Sequence, residues 1–505
     1  MAKRIRQFLG SDLGVLLLIA AARVSVHLVT NGQYGFHRDE LQTLDDARHL
    51  DWGFVVYPPI TPLIGRLELI LFGTSLAGFR LFAAVAVSLV MVLAGLMARD
   101  LGGGRAIQVL AALATGISPI SLTQGAVLQY VSFDYLWGTA TTYFLMRLAK
   151  SEDLRWWLAI GATLGLGMET RYTAGFLALG LVGALLFTPL RRHLLSGWFW
   201  SGVGLSVLIF LPNLMWQVHH QFISLDFLSH LHARDLRQGR YKDFYAGQPL
   251  ICLNLATAPL ALCGLWFYLI REEGRRYRLL GSTFVVTFLL FAVAGARAYY
   301  TAPLYPVLLA AGSVMFGVWI ATLRPQRARL VWATQWGLIS IAGVFFGSLV
   351  MPIAPVGSQG WRVTAKLHDQ FREEIGWPEL AQNVARVFIS LPAGERARTG
   401  ILTGNYGEGG ALNLYGPALG LPAAMTLTNS FWYRTFDPRE PQTVIVVGFD
   451  LEEAQRVFEG CTVAAKNTNA LNVENEESRD HPDILVCRNL KMPWKKYWAT
   501  HRRFG

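Results

Sequence analysis

The chain has 505 residues, of which 53% are hydrophobic and only 16% charged, with a formal net charge of +11. Its apolar residues come in long blocks, which excludes an ordinary soluble enzyme and makes the bilayer the natural solvent. The positive charge is spread over short segments between those blocks rather than gathered into a patch, so it speaks for membrane orientation and against nucleic acid as a partner.

Roughly eleven apolar blocks are candidate spanning helices, since a helix rises ~1.5 Å per residue across a hydrocarbon core of ~30 Å. They lie at about 11–30, 79–98, 105–122, 131–149, 156–170, 174–188, 198–217, 248–270, 279–295, 299–321 and 330–352. Lys3, Arg4 and Arg6 before an apolar stretch ending near Ala20-Ala21-Ala22 resemble a signal peptide, but the spans that follow favour a retained helix. Arg23 and His27 within it either snorkel or face protein. With a cytoplasmic N-terminus, the inner turns hold Arg99 and Arg105; Arg147, Lys150 and Arg155; Arg191 and Arg192; Arg271, Arg275, Arg276 and Arg278; then Arg324, Arg327 and Arg329. Every inner turn is basic, and an odd number of spans leaves 353–505 outside.

Two outer loops, 31–78 and 218–247, are too long to be simple turns. In the first, Leu41, Leu44 and Leu50 at near-helical spacing among Glu40, Asp45, Asp46 and Arg48 predict an amphipathic helix along the interface. Tyr57-Pro58-Pro59 is a stiff break, and Ile60 to Phe72 is an apolar segment that re-enters without spanning. Beyond Pro355 the composition changes. Trp361 to Arg398 has helical periodicity and Thr443-Val444-Ile445-Val446-Val447-Gly448 reads as a buried strand, so 353–505 is expected to be a separate α/β domain. Cys252 and Cys263 fall in a membrane block as small packing residues, while Cys461 and Cys487 in the outer domain are either free or disulfide-bonded.

The chemistry-bearing residues gather at the predicted outer ends. His37-Arg38-Asp39-Glu40 offers a carboxylate pair able to act as a general base, although Asp39 with Gln42 also fits a capping box. Asp134 falls near the outer end of its helix, where a carboxylate is also favoured by the helix dipole. Glu169, Arg171 and Tyr172 fall at another outer end, and Arg297, Tyr299 and Tyr300 in a third outer turn. Each alone reads as an interfacial anchor or buried pair. Together they set acids and cations at one membrane face beside apolar walls, as an anionic lipid-linked substrate requires. An arginine fork holds phosphate while a carboxylate takes the nucleophile's proton. His219, His220, Arg234, Arg237, Arg240 and Lys242 of the second loop add to this set or, equally, form a solvated or headgroup-binding surface. The sequence has no nucleotide-binding glycine loop, no Asp-x-Asp pattern and no zinc-type cluster.

His37-Arg38-Asp39-Glu40-Leu41, Leu50-Asp51-Trp52-Gly53 running into Tyr57-Pro58-Pro59-Ile60-Thr61-Pro62-Leu63, and Asp134 together resemble bacterial GT-C glycosyltransferases of the protein O-mannosyltransferase and lipid A aminoarabinose transferase-like group. Glu169-Thr170-Arg171-Tyr172, Phe210-Leu211-Pro212-Asn213-Leu214, Ala298-Tyr299-Tyr300 through Pro306 and Gly404-Asn405-Tyr406-Gly407-Glu408 extend the resemblance over most of the chain. It implies a polytopic α-helical membrane protein with about 11–13 transmembrane helices, residues 1–352 forming the catalytic domain and 353–505 an extracytoplasmic α/β domain. The implied location is the bacterial inner membrane, with site and outer domain facing the periplasm or exterior.

The implied activity is sugar transfer from a polyprenyl-phosphate donor to an extracytoplasmic lipid, glycan or protein acceptor, with inversion. Asp39 maps onto the family's essential carboxylate, with Glu40 its neighbour and Asp134 a second acid. His37, Arg38, Tyr57, Glu169, Arg171, Tyr172, Arg297, Tyr299 and Tyr300 form the expected substrate-binding set. The aminoarabinose transferases carry a Glu-Lys pair before the double proline, the lysine contacting donor phosphate. Val56 and Tyr57 stand there in this chain, so Arg171 and Arg297 are the expected phosphate cations. No cofactor is required by this reading; Asp39 and Asp134 would share a divalent ion if the fold joined them. The alternative is a non-catalytic lipid-linked sugar binding protein or flippase in envelope assembly, which would want polar residues at the midplane or on both faces. An inactive scaffold is a third reading.

Overall fold

The computed structural model describes Phe8 and residues 10–505, so Lys3, Arg4 and Arg6 lie outside the described residues. Each of the eleven apolar blocks contains a helix, and the chain is a polytopic helical membrane protein with a small C-terminal sheet domain. Among the described residues, six helical stretches are long and apolar enough to cross a membrane, namely Asp12–Thr30, Leu81–Asp100, Gly197–His219, Arg275–Val293, Ala298–Ala321 and Pro325–Val350. Arg105–Gly116, Trp156–Met168 and Ala258–Leu269 are apolar but shorter, and Ala174–Leu186 bends by 113° into Pro189–Leu195. Tyr130–Ser151 has the length, with 22 residues, but buries Ser132, Asp134, Thr139, Thr141 and Thr142 inside the bundle.

The expected single span over 248–270 is broken. A π-helical turn, Gln248–Cys252, leads to Asn254, whose side-chain oxygen accepts from the backbone of Ala256 and Thr257, and the helix resumes at Ala258. Irregular backbone at this depth is tolerated because it is enclosed by protein. Close helix contacts hold the bundle. A Cβ on Gly161 would lie 2.0 Å from the carbonyl oxygen of Gly202, so helices Trp156–Met168 and Gly197–His219 touch backbone to backbone.

At one end of the bundle the basic turns are neutralised locally. Arg105 pairs with Asp12 at 2.9 Å, and Arg147 and Lys150 both pair with Asp100. At the other end, helix Arg38–Arg48 departs from expectation. It is not laid along the membrane surface: Glu40 through Ala47 are all buried between the membrane helices and the C-terminal domain. Its acidic face is covered, because Arg434 of the domain binds Asp45 at 2.7 Å and Asp46 at 2.6 Å. Its cap also differs. The His37 imidazole accepts from the backbone of Asp39, and Glu40 accepts from the backbone of His37, which leaves the Asp39 carboxylate outside the capping box.

The C-terminal sheet has the order β2-β1-β3-β5-β4, with β1 (Thr399–Thr403), β2 (Ala424–Thr426), β3 (Thr443–Val447), β4 (Phe458–Lys466) and β5 (Asp483–Leu490). β1 runs parallel to β2 and β3, whereas β5 is antiparallel to β3 and β4. All five residues of β3 are buried, as its unbroken apolar run predicts. Cys461 and Cys487 face each other across β4 and β5 and are disulfide-bonded. One apolar core runs from the segment 31–79 into this domain, joining Phe36, Leu41, Leu44 and Phe79 to Trp377, Leu380, Ile401 and Ile445.

Arg80 locks that junction. Its guanidinium donates to both oxygens of Glu40, to the carbonyls of Asn31 and Gly35, and to Glu374. Replacing Arg80 by Leu leaves two buried carboxylates uncompensated and is expected to cost about 3–5 kcal/mol. A thermal melt of the detergent-purified variant measures this; an unchanged midpoint would refute the locking role.

Candidate active site

The helix start that caps itself through His37 and Glu40 turns Asp39 the other way, towards the domain interface. Its Oδ1 accepts from the Tyr406 hydroxyl at 2.9 Å and its Oδ2 from Gln129 Nε2 at 2.8 Å. Tyr406 can reach it because helix Tyr406–Tyr415 packs very closely on helix Arg38–Arg48. A Cβ on Gly410 would come within 2.6 Å of the Leu41 carbonyl, and one on Gly407 within 2.7 Å of Arg38 Cγ. Protein surrounds Asp39, yet its side chain keeps 42% of its surface accessible, as befits a group lining a cavity. Burial opposes its charge, whereas Arg38, the Tyr406 hydrogen bond, Arg297 and, when it is protonated, His37 favour it, and the balance holds the carboxyl below the usual range. Asp39 is therefore ionised at neutral pH. Burial pushes the His37 imidazole down, and its Nδ1 is occupied as an acceptor, so its 3.9 Å approach to Asp39 is no permanent ion pair.

Two cavities meet beside this carboxylate. The polar one, about 340 Å³, is lined by Asp39, Arg38, Gln42, Thr43, Gln129 and Arg234 among others. The second, about 400 Å³, is mainly apolar, with Phe176, Leu228, Phe291 and Ala294 in its wall. Tyr57, Tyr130, Phe227, Leu231, Arg297 and Tyr300 line both. A polar head and an apolar tail can thus be held at once, with the junction rimmed by aromatics and a guanidinium.

The expected site residues divide into groups. Asp39, Arg38, Tyr57, Arg297, Tyr299 and Tyr300 line the polar cavity, while Arg171 and Tyr172 line the apolar one. Arg171 sits in an aromatic cage, its guanidinium 4.0 Å from the Tyr300 ring centroid, 5.0 Å from Tyr130 and 5.3 Å from Tyr299. Its only carboxylate neighbour among the described residues is Asp134 at 3.6 Å, and its Nη1 makes no hydrogen bond. Arg297 is less free than expected, because Asp235 engages it through two bonds of 2.6 and 2.8 Å.

Glu40 lies away from both cavities. Each of its oxygens accepts two hydrogen bonds, from Arg80 and from the backbones of His37 and Leu128. Glu169 Oε1 accepts from the Asn213 backbone, and Tyr172 is wedged between Asn213, Ser224 and Gln217. Asp134 lines a separate small cavity beside Gly138 and Thr141, so the fold does not bring it to one chamber with Asp39. Among the described residues no three His, Cys, Asp or Glu side chains are grouped to hold a metal ion. His220 is stacked on Trp216 at 3.9 Å, away from the site.

Among the cavity-wall residues not singled out from sequence as site residues, Gln42, Gln129, Tyr130 and Tyr406 stand nearest the chemistry. Tyr406 was visible only within its glycine-rich motif, and Gln129 and Tyr130 only as the residues before Asp134's helix turn. Arg234, which the sequence leaves equally open between the anion-binding set and a headgroup-binding surface, lies in helix Ile223–Arg237 and reaches the polar cavity with its Nε buried and unpartnered.

ArnT from Cupriavidus metallidurans, in its crystal structure bound to undecaprenyl phosphate, superimposes with a TM-score of 0.59 at 15% identity, over 94% of this chain and 98% of that one. The chain has the GT-C fold. The same protein in the apo state gives 0.57 at 14% identity, over 94% and 97%. The Archaeoglobus fulgidus oligosaccharyltransferase, crystallised with zinc and sulfate, gives 0.52 at 12% identity, over 86% of this chain and 68% of that one. Residues 56–216 match the family described as dolichyl-phosphate-mannose-protein mannosyltransferase. That stretch begins after Asp39 and takes in Asp134, Glu169 and Arg171. No curated protein matches the sequence. Within the GT-C fold, the resemblance to the mannosyltransferase and aminoarabinose transferase group seen in the sequence therefore extends to both the family match and the architecture.

The hydrogen bond from Tyr406 favours ionised Asp39. A carboxyl whose folded pKa is depressed contributes stability that is present above its unfolded value of ~3.9 and is lost as pH falls through the folded value. Tyr406→Phe is therefore expected to lower the melting temperature at pH 7, and the difference from the unaltered protein should close below about pH 4. Melting curves across pH check this; a difference independent of pH would mean that Tyr406 acts by packing alone.

Proposed function

We propose that this protein is a membrane glycosyltransferase that moves a sugar from a polyprenyl-phosphate donor to an acceptor on the outer face of a bacterial inner membrane. The observation that carries the reading is the Asp39 carboxylate, held by Tyr406 and Gln129 in a polar cavity that continues into an apolar one. The match to a mannosyltransferase family and the fold shared with a protein crystallised on undecaprenyl phosphate support it.

In this mechanism the donor's isoprenoid chain lies against the apolar wall and its phosphate at the junction. The acceptor's O–H or N–H enters the polar cavity beside Asp39. Its heteroatom attacks the anomeric carbon from the face opposite the phosphate, and the bond from that carbon to the phosphate oxygen breaks, its electron pair leaving on the phosphate. Asp39 takes the acceptor proton, so the configuration inverts. Charge growing on the phosphate is met by cations fixed beforehand, which need not reorganise during reaction. Arg171 supplies one. Arg234 supplies the other, because Arg297 is already neutralised by Asp235 and is better placed to shape the wall. Asp134 holds Arg171 in its cage rather than sharing chemistry with Asp39. No step is assigned to a metal ion, since the two acids face different cavities.

Asp39→Asn nearly preserves shape but removes the proton acceptor, and is expected to lower transfer by about 10²–10⁴-fold while folded protein stays in the membrane. Transfer measured with a panel of polyprenyl-phosphate sugars tests this, and unchanged turnover in the variant would sink the base assignment. Arg234→Ala should raise KM for the donor more than it lowers binding of a phosphate-free prenol. Equal effects on both would remove Arg234 from the phosphate site.

A further inference from the structure

We propose that the segment 501–505 is a clasp across the catalytic cavity, tying the C-terminal domain to helix Ile223–Arg237 and backing the tyrosine that holds Asp39. Its catalytic consequence rests on the transferase reading; its geometry does not.

The segment is anchored on the domain side. Arg503 forms an isolated parallel bridge with Thr428, donates its backbone N–H to the Leu427 carbonyl at 3.0 Å and accepts from the Asn429 backbone at 3.1 Å. Its guanidinium binds Glu453 and lies 4.7 Å from the Phe449 ring centroid. From this anchor Phe504 crosses to the membrane side. Its ring packs 6.0 Å from Phe227 and 5.8 Å from His230, joining the cluster of Val55, Trp216 and Ile223. Phe227 lines both cavities, and the same helix presents Leu231 and Arg234 to the polar one. Phe504 is thus the point where the domain grips the helix that carries the proposed phosphate cation.

Gly505 completes the clasp. Its N–H donates to Asn429 Oδ1 at 3.2 Å, and Asn429 Nδ2 donates to Gln42 Oε1 at 2.9 Å. Its Cα lies so close to Tyr406 that an added Cβ would come within 2.7 Å of the ring. The Tyr406 hydroxyl is in turn the Asp39 partner. One short segment therefore steadies both sides of the site: the carboxylate through Gly505 and Tyr406, and Arg234 through Phe504 and Phe227. Phe504 and Gly505 are positioning residues, because they act through others. The groups that face Asp39 itself are His37, Arg38, Gln129, Tyr130, Arg297 and Tyr406.

The test uses the whole chain in nanodiscs, with Phe504→Ala, Phe504→Leu and a variant lacking residues 504–505. Hydrogen exchange over 223–237 is read first, since it needs no substrate. Exchange should quicken by about 10-fold in Phe504→Ala and stay near the unaltered rate in Phe504→Leu, which keeps an apolar wedge. In transfer assays the shortened variant should lose about 10–100-fold in kcat, as expected for misplaced groups. The acid limb of its kcat/KM profile should also move to higher pH as Tyr406 loosens from Asp39. Unchanged exchange in Phe504→Ala overturns the clasp, whatever the assays show. Quickened exchange with unaltered kcat and acid limb overturns its link to catalysis. Absence of transfer by the unaltered protein with every donor counts against the transferase reading and leaves exchange to decide the clasp.

Discussion

The structure depends on one buried guanidinium. Arg80 begins the second long membrane helix, and its donors reach Glu40 of helix Arg38–Arg48, two carbonyls of the chain leaving the first helix, and Glu374 at the entry to the C-terminal domain. An unpaired charge at such depth costs several kcal/mol, so the three segments must converge for the cation to be satisfied. That convergence fixes helix Arg38–Arg48 at its N-terminus. Because Glu40 is consumed by the lock and the cap, Asp39, one residue earlier, is set on the side of the cavity. Two adjacent acids thereby take opposite roles, one structural and one exposed to a chamber.

The proposed transfer makes two demands that conflict in a single environment. A proton acceptor must stay charged, which favours a polar surround, whereas a long isoprenoid needs an apolar one. The fold separates them into adjoining cavities and shares the wall between. Tyrosines suit that wall because each has an apolar ring and a polar tip. The aromatic cage around Arg171 does related work: it keeps a cation near the junction while one carboxylate, at 3.6 Å, satisfies it only in part.

Much of this was legible beforehand. Block lengths and basic turns marked a multi-span protein, and the unbroken run Thr443–Val447 marked a central strand. Asp39 stood out by its motif. Less legible was which cation is free. Arg297 looks available in sequence, and its neutralisation by Asp235 depends on residues 62 positions apart meeting in space. Likewise the Asp39–Tyr406 contact spans 367 positions, and no periodicity within either segment announces it. The short helices Arg105–Gly116, Trp156–Met168 and Ala258–Leu269 blurred the span count, because helices surrounded by protein need not meet the length rule of one facing lipid alone.

The sequence by itself determined the solvent, the helical class, the α/β character of the C-terminal region and the residue types that the proposed chemistry would use. These follow from local composition and periodicity, which burial and backbone hydrogen bonding read directly. Only the tertiary structure decided which of two neighbouring acids faces the cavity, which arginine keeps an unpartnered donor, and that Cys461 and Cys487 are bonded across β4 and β5. Those outcomes are pairings between distant segments. Their strength depends on desolvation and close geometry, which exist only once the chain has folded.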